Sequence, residues 1–281
     1  MDAIKNSSLR VGNFTGSRIG ALMSLGKREM TPEELMSFKM QNPKSRKTTI
    51  EAGFGEPALN YIEEKNMERR LNRSLFDVSN AKPLTWGKCL EKRVFDILGL
   101  EYELCSTTTR EHPLISEDKR YECWKGSPDA EKFDEGKTVV DIKCPLTIKS
   151  FCQLVDPLIK YGDGEMAIQV IRQKHQSGEE YFWQLVSNSI ITGAKYAELI
   201  VYMPYLSELP EIRQYAKYPD DSDDKKYNWI AWGSDDDLPW LFDDGYYENV
   251  NVIRWEVSET DKEELTKRVL EASRFLNPFH K

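Results

Sequence analysis

The chain has 281 residues, 40% of them hydrophobic and 31% charged, enough for one large globular domain or a domain carrying an insertion. No run of about 18 apolar residues is present, and the N-terminal MDAIKNSSLRVGNFTG lacks the basic start and apolar stretch of a secretory signal, so a soluble, cytoplasmic protein without a membrane partner is expected. Five cysteines (Cys89, Cys105, Cys123, Cys144, Cys152) form no C-x-x-C pair, and the three histidines (His112, His175, His280) have no metal-binding spacing, which argues against a disulfide framework, a zinc knuckle or a histidine-rich metal site. The net charge of −8 is local: residues 207–250 hold 12 of the 47 acidic and 4 of the 39 basic side chains, leaving 35 of each elsewhere. A nucleic-acid partner is therefore not excluded. The stretch KMQNPKSRK at 39–47 has four basic residues and no acid, which suits either a solvated charge run or a loop that contacts phosphates.

In chain order, TPEELMSFKM opens with Thr31 as N-cap and Glu34 three residues on, the signature of a capping box. A helix is predicted from about Pro83 to Leu98, ended by Gly99. Strand-like segments follow at 101–107, 113–116, 120–125 and 137–143, with DEG at 134–136 as the turn before the last. Helices are predicted for KSFCQLVDPLIKY and EEYFWQLVSNSIIT, then a strand for AELIVYMPY. After the acidic, tryptophan-rich 207–250 segment come a strand at NVIRWEV and a capped helix from about Thr260 to Leu276. This order predicts an α+β or α/β fold, a mixed central sheet flanked by helices, in a single domain spanning 1–281 with 207–250 as an insertion. No internal repeat is present. The insertion, with Trp229, Trp232 and Trp240, reads either as a lid packed on the surface or as a docking or DNA-mimicking face.

The chemistry concentrates in GSPDAEKFDEGKTVVDIKCP at 126–145. Two short strands joined by a turn would bring Asp129 close to Asp141. Strand alternation puts Asp141 and Lys143 on one face, about 7 Å apart, with Val140 and Ile142 on the other. Two carboxylates about 4 Å apart repel by roughly 4 kcal/mol at an effective dielectric near 20, so keeping both ionised requires a cation. Magnesium, which binds through oxygen ligands and one or two carboxylates, suits the pair better than zinc. Lys143 would then steer an attacking water or steady developing charge. Taken alone, D…DxK is short, and a turn aspartate beside an exposed cross-strand pair is the alternative. Glu91 adds weight: helical spacing places it on the side carrying Val94, Phe95 and Leu98, where a carboxylate needs a partner.

Together these residues resemble the PD-(D/E)xK nuclease signature, and more closely the lambda-exonuclease-like (YqaJ-type) viral recombination nucleases. LRVGNFTGS at 9–17 looks like that family's phosphate-pocket segment, LTWGKCLEKRVFDIL its glutamate helix, GSPDA…VVDIKCPLTIK its metal hairpin, and YFWQLVSNSIITG its Y-x-x-Q helix. The resemblance implies a restriction-endonuclease-like fold. It also implies two Mg²⁺ per site, with Mn²⁺ able to substitute, held by Asp129, Asp141, the Ile142 carbonyl and Glu91, with Asp118 as a further acid. Lys143 would activate water, and Tyr181 and Gln184 would brace the hairpin. Arg10, Ser17, Ser127 and Lys149 would gather a terminal 5′-phosphate; the lysine stands where the family has arginine and loses the bidentate fork. The implied activity is 5′→3′ exonucleolysis of double-stranded DNA by a homotrimer, leaving 3′ tails for a single-strand annealing protein. An endonuclease with the same chemistry and a non-catalytic binder of DNA ends or protein are the alternatives. GFGEPA at 53–58 fits a loose dinucleotide pattern, but the lack of an expected preceding strand and Pro57 argue against it. No P-loop or G-x-S-x-G occurs, and no cysteine follows Cys152 to hold an iron–sulfur cluster.

Overall fold

A computed structural model describes residues 9–75, 81–105, 108–162, 164–219 and 224–279. The first eight residues, the end of the strand predicted at 101–107, His280 and residues 220–223 of the acidic segment lie outside the described residues.

Thr31 accepts from the Glu34 amide and Glu34 accepts from the Thr31 amide, so the predicted capping box opens helix α1 (Pro32–Gln41). This helix buries no residue and lies between strands β2 (Leu25–Glu29) and β3 (Thr49–Phe54), which pair antiparallel as a separate arm. Helix α2 (Glu56–Leu71) follows β3 directly. The GFGEPA stretch is thus preceded by a strand, contrary to expectation, and Pro57 sits in the first helical turn, where its missing N–H costs nothing. Helix α3 (Lys82–Ile97) matches the predicted glutamate helix to within a residue at each end.

The strands predicted at 113–116 and 120–125 are not formed as such. His112 Nδ1 accepts from the Leu114 amide at 3.2 Å, and Asp118 Oδ1 accepts from the Arg120 amide at 2.8 Å. Side chains therefore capture the donors a ladder would use, and the chain turns through a 3₁₀ segment, Lys119–Cys123. A short strand pair appears instead at β5 (Arg110–Glu111) and β6 (Trp124–Gly126), with β1 (Phe14–Thr15) parallel to β6 on its other side.

The central sheet runs β10 (Val250–Glu256), β9 (Tyr196–Tyr202), β8 (Thr138–Lys143), β7 (Ala130–Lys132), β4 (Tyr102–Leu104). Only β8 and β9 are parallel, so the sheet is mixed as predicted. Parallel neighbours need a long crossover. Helices α4 (Ile148–Tyr161), α5 (Glu165–Lys174) and α6 (Gly178–Thr192) supply it. The DEG turn between β7 and β8 closes with Gly136 and Lys137 at positive φ, +91° and +53°.

Alternation along β8 feeds two cores. Val139 packs with Phe151, Leu154, Ile168, Phe182 and Val186 of the crossover helices. Val140 and Ile142 pack on the opposite face with Trp86, Leu90 and Val94 of α3 and with Leu209, Ile212, Ile230 and Leu238. Those last four belong to the acidic segment, which includes helix α7 (Leu209–Lys217). The segment is therefore one wall of the second core, and Asp235, Asp236, Asp237, Asp243 and Asp244 lie exposed on its outer side. Trp229 anchors it, donating through Nε1 to Thr85 Oγ1 at 3.0 Å with its ring 6.1 Å from that of Trp86. Helix α8 (Glu259–Ser273), capped by Ser258, closes the chain against the first core through Leu265, Val269 and Ala272. Among the described residues, no helix is long and apolar enough to cross a membrane.

Candidate active site

Asp129 directly precedes β7 and already takes part in its ladder: its amide donates to Val140 O at 3.1 Å, and its carbonyl accepts from Cys105 N at 2.8 Å. This holds the side chain across from β8, where Oδ2 accepts from the Ile142 amide at 2.7 Å. Asp141, wholly buried, accepts through Oδ1 from Gln184 Nε2 at 2.6 Å. Its Oδ2 is met by the Lys143 ammonium at 2.5 Å. Lys143 in turn donates to Gln184 Oε1 at 3.3 Å and lies 4.7 Å from the centre of the Tyr181 ring. Strand alternation has thus placed Asp141 and Lys143 on one face, and the one-turn spacing of Tyr181 and Gln184 on α6 brings both against them.

The electrostatics report unbalanced negative charge. Burial and the neighbouring Asp141 push the Asp129 carboxyl well above its ordinary value; Lys143 and the Ile142 amide oppose this, and Glu91 adds to it. Burial, then Glu91 and Asp129, raise the Cys144 thiol as well. Burial alone would lower Lys143, but Asp141 and Asp129 outweigh it and hold the ammonium up to about 12. One lysine therefore only partly answers two carboxylates and a nearby glutamate.

That surplus is the test of fit for a divalent cation. Among the described residues no three His, Cys, Asp or Glu side chains converge. Asp129 and Asp141 act on one another across adjoining strands, and magnesium needs only one or two carboxylates with water completing its shell. The Asp129–Asp141 pair fits such an ion. Glu91, half-buried on α3, reaches the pair through its charge, which acts on both Asp129 and Cys144.

Asp118 is placed differently from the expectation. Both its oxygens are taken by Arg120, through Nε to Oδ1 at 3.1 Å and to Oδ2 at 2.8 Å, in a partly exposed pair. Arg120 itself lines a groove beside α6 and α8, so this acid is committed elsewhere and not to the carboxylate pair.

Next to Asp129 and Gln184 lies a pocket of about 140 Å³. Arg10, Ser17 and Ser127 all line it, although they come from three separate stretches of the chain. Lys149, the fourth residue expected there, lies exposed on the first turn of α4 and is not on the pocket wall. Thr109 and Lys125 line the pocket instead, with Thr109 Oγ1 3.1 Å from Ser127 Oγ. Lys125 stands two residues before Ser127 in YECWKGSPDA, so alternation along the extended chain is the signal that could have placed it beside Ser127.

No family model and no curated protein sequence matches this chain. Solved structures do. LHK-Exo, an alkaline exonuclease from Laribacter hongkongensis crystallised with dAMP, superposes with a TM-score of 0.50 at 16% identity, over 96% of this chain and 90% of that one. A phage-related exonuclease from Haemophilus somnus 129PT superposes with a TM-score of 0.52 at 14% identity, over 94% and 92%. The chain thus shares the fold of these two exonucleases.

Proposed function

We propose that this chain is a Mg²⁺-dependent deoxyribonuclease that degrades double-stranded DNA from 5′ ends, releasing 5′-mononucleotides and leaving 3′ single-strand tails. The observation that carries this reading is the Asp129–Asp141–Lys143 constellation abutting a pocket that holds Arg10, Ser17 and Ser127. An end-recognising pocket beside hydrolytic machinery suits an exonuclease better than an enzyme that cuts within a strand. The likeness to a fold crystallised with a mononucleotide supports the same reading.

Asp129, Asp141 and the Ile142 carbonyl would hold the magnesium, two ions per site, with Glu91 acting directly or through water. When bound, the metal supplies charge that acidifies a water and stabilises the phosphoryl oxygens. The remaining work falls to the chain. Asp141 and Asp129 hold the Lys143 ammonium charged in the metal-free chain, where it is placed to orient the attacking water and offset developing charge. Gln184 fixes the Asp141 carboxylate with one amide atom and Lys143 with the other. Tyr181 provides a π-face for the same ammonium. Each cut would leave a new 5′-phosphate for the Arg10 pocket, so degradation continues along the strand. Assembly as a homotrimer, with an annealing protein receiving the tail, completes the proposal.

The test incubates linear and closed-circular duplex with Mg²⁺ and with Mn²⁺, each with and without a 5′-phosphate. Loss of linear duplex alone, faster with the phosphate, is expected; nicking of circles marks an endonuclease, and no loss marks a binder. Asp129→Ala should abolish cleavage in a folded protein, and wild-type rates in that variant overturn the site assignment.

A further inference from the structure

Lys125 is a buried cation outside the Asp129–Asp141–Lys143 constellation. It is 2% exposed, on β6, flanked in the sheet by Thr15 of β1 and Glu111 of β5. Its side chain lines the same 140 Å³ pocket as Arg10, Ser17 and Ser127. Burying an ammonium is costly unless it is paired. Its acidic partner is Glu111, with Lys125 Nζ donating to Oε1 at 2.6 Å. That partner is poorly suited to hold it: the Glu111 side chain is 50% exposed, while that of Lys125 is 3% exposed. The solvent-facing carboxylate is the readily exchanged half of the pair, because water solvates it when the lysine turns to another anion.

We infer that Lys125 is the second cation of the terminal-phosphate pocket, latched by Glu111 while the pocket is empty and transferred to the phosphate when a 5′ end enters. This rests on the end-recognition part of the function proposed above. Pocket, charge and chemistry agree. A space of about 140 Å³ is large enough for a phosphate group. A phosphate monoester carries between one and two negative charges near neutral pH, which Arg10 alone leaves under-compensated. Ser17, Thr109 and Ser127 supply hydroxyl donors around it. Ammonium donors move freely about one nitrogen, so Lys125 exchanges one oxygen partner for another without rebuilding its surroundings. With a buried lysine already in the pocket, the exposed Lys149 on α4 is not required as its second positive group.

The experiment measures binding without cleavage, by fluorescence anisotropy of a labelled duplex bearing either a 5′-phosphate or a 5′-hydroxyl, with no divalent metal present. Wild type should prefer the phosphorylated end. Lys125→Met, which keeps the side-chain bulk, should lose about 10- to 100-fold in affinity for that end and little for the hydroxyl end. Lys125→Arg should restore most of the preference. Glu111→Gln, whose amide oxygen can still accept from Lys125 and whose fold is checked by its urea midpoint, should tighten binding of the phosphorylated end about two- to five-fold by removing the competing negative charge. Unchanged preference in Lys125→Met, or weaker binding in Glu111→Gln, overturns the inference. The two readings fail separately. A wild type that degrades DNA while Lys125→Met keeps its preference keeps the nuclease and loses the latch. A wild type that binds phosphorylated ends through Lys125 yet cleaves nothing keeps the latch and loses the nuclease.

Discussion

Gln184→Met isolates the bracing of the acid pair. Methionine matches glutamine in length but has neither amide atom, so the change removes the 2.6 Å donor to Asp141 Oδ1 and the 3.3 Å acceptor for Lys143 without opening a large cavity. Asp141 is 0% exposed, so no solvent replaces the lost donor. A hydrogen bond to a charged group contributes about 1.5–3 kcal/mol, and stranding a buried acceptor costs a similar amount. The longer Lys143 contact adds little, because its ammonium keeps the Asp141 ion pair. The expected destabilisation is therefore about 2–3 kcal/mol, read from urea unfolding as a lower midpoint with an unchanged slope. The rate of linear-duplex degradation at saturating Mg²⁺ should fall about 10- to 100-fold as Asp141 loses its fixed orientation. A midpoint equivalent to less than about 0.5 kcal/mol from wild type, together with an unchanged rate, refutes the reasoning; a stability loss without a rate loss leaves Gln184 a purely structural brace.

Magnesium should stabilise the protein more at high pH than at low. The raised Asp129 carboxyl keeps its proton in the native chain above the pH at which the unfolded chain releases it, so stability falls as pH rises through that window. A divalent ion replaces the proton and removes the penalty, so the Mg²⁺-induced rise in Tm should be larger near pH 8.5 than near pH 5; equal rises speak against the assignment. His112 should make the fold acid-labile. Burial lowers it from 6.5 to about 4, so the unfolded chain binds the extra proton first, and stability of up to about 3 kcal/mol is lost as pH falls between those values. Urea midpoints across that range should change less in His112→Phe, which keeps the stacking on Tyr121; parallel curves for the two proteins count against it. Trp229→Ala should loosen the acidic segment by about 2–3 kcal/mol through loss of its Thr85 bond and its packing on Trp86, seen as faster limited proteolysis within 207–250. Unchanged cleavage would mean that the segment does not depend on this anchor.

Much of the candidate site could be read from local spacing. Period-two alternation places Asp141 and Lys143 on one face of β8, and the helical period places Tyr181 one turn from Gln184; neither needs knowledge of distant chain. Asp118 and Lys149 show the limit. Both lie near the motif in sequence. Asp118 is nevertheless taken by Arg120 two residues on, and Lys149 lies exposed in the first turn of its helix and not on the pocket wall. Competition for a charged partner and the facing of a helix turn are settled by packing, so a matching position in the chain does not guarantee a matching role.

The amino-acid order alone determined the hairpin, the capped helices and the mixed-sheet class, because these follow from periodicity, caps and turn residues acting within a few positions. Tertiary structure decided which residues meet. It seated the acidic segment as a core wall through Leu209, Ile212 and Ile230, and it turned Lys125 into a pocket shared with Arg10, more than a hundred residues earlier. Such meetings depend on which apolar faces bury against one another across the whole chain, and burial then sets which charges stay paired and which are left for a ligand.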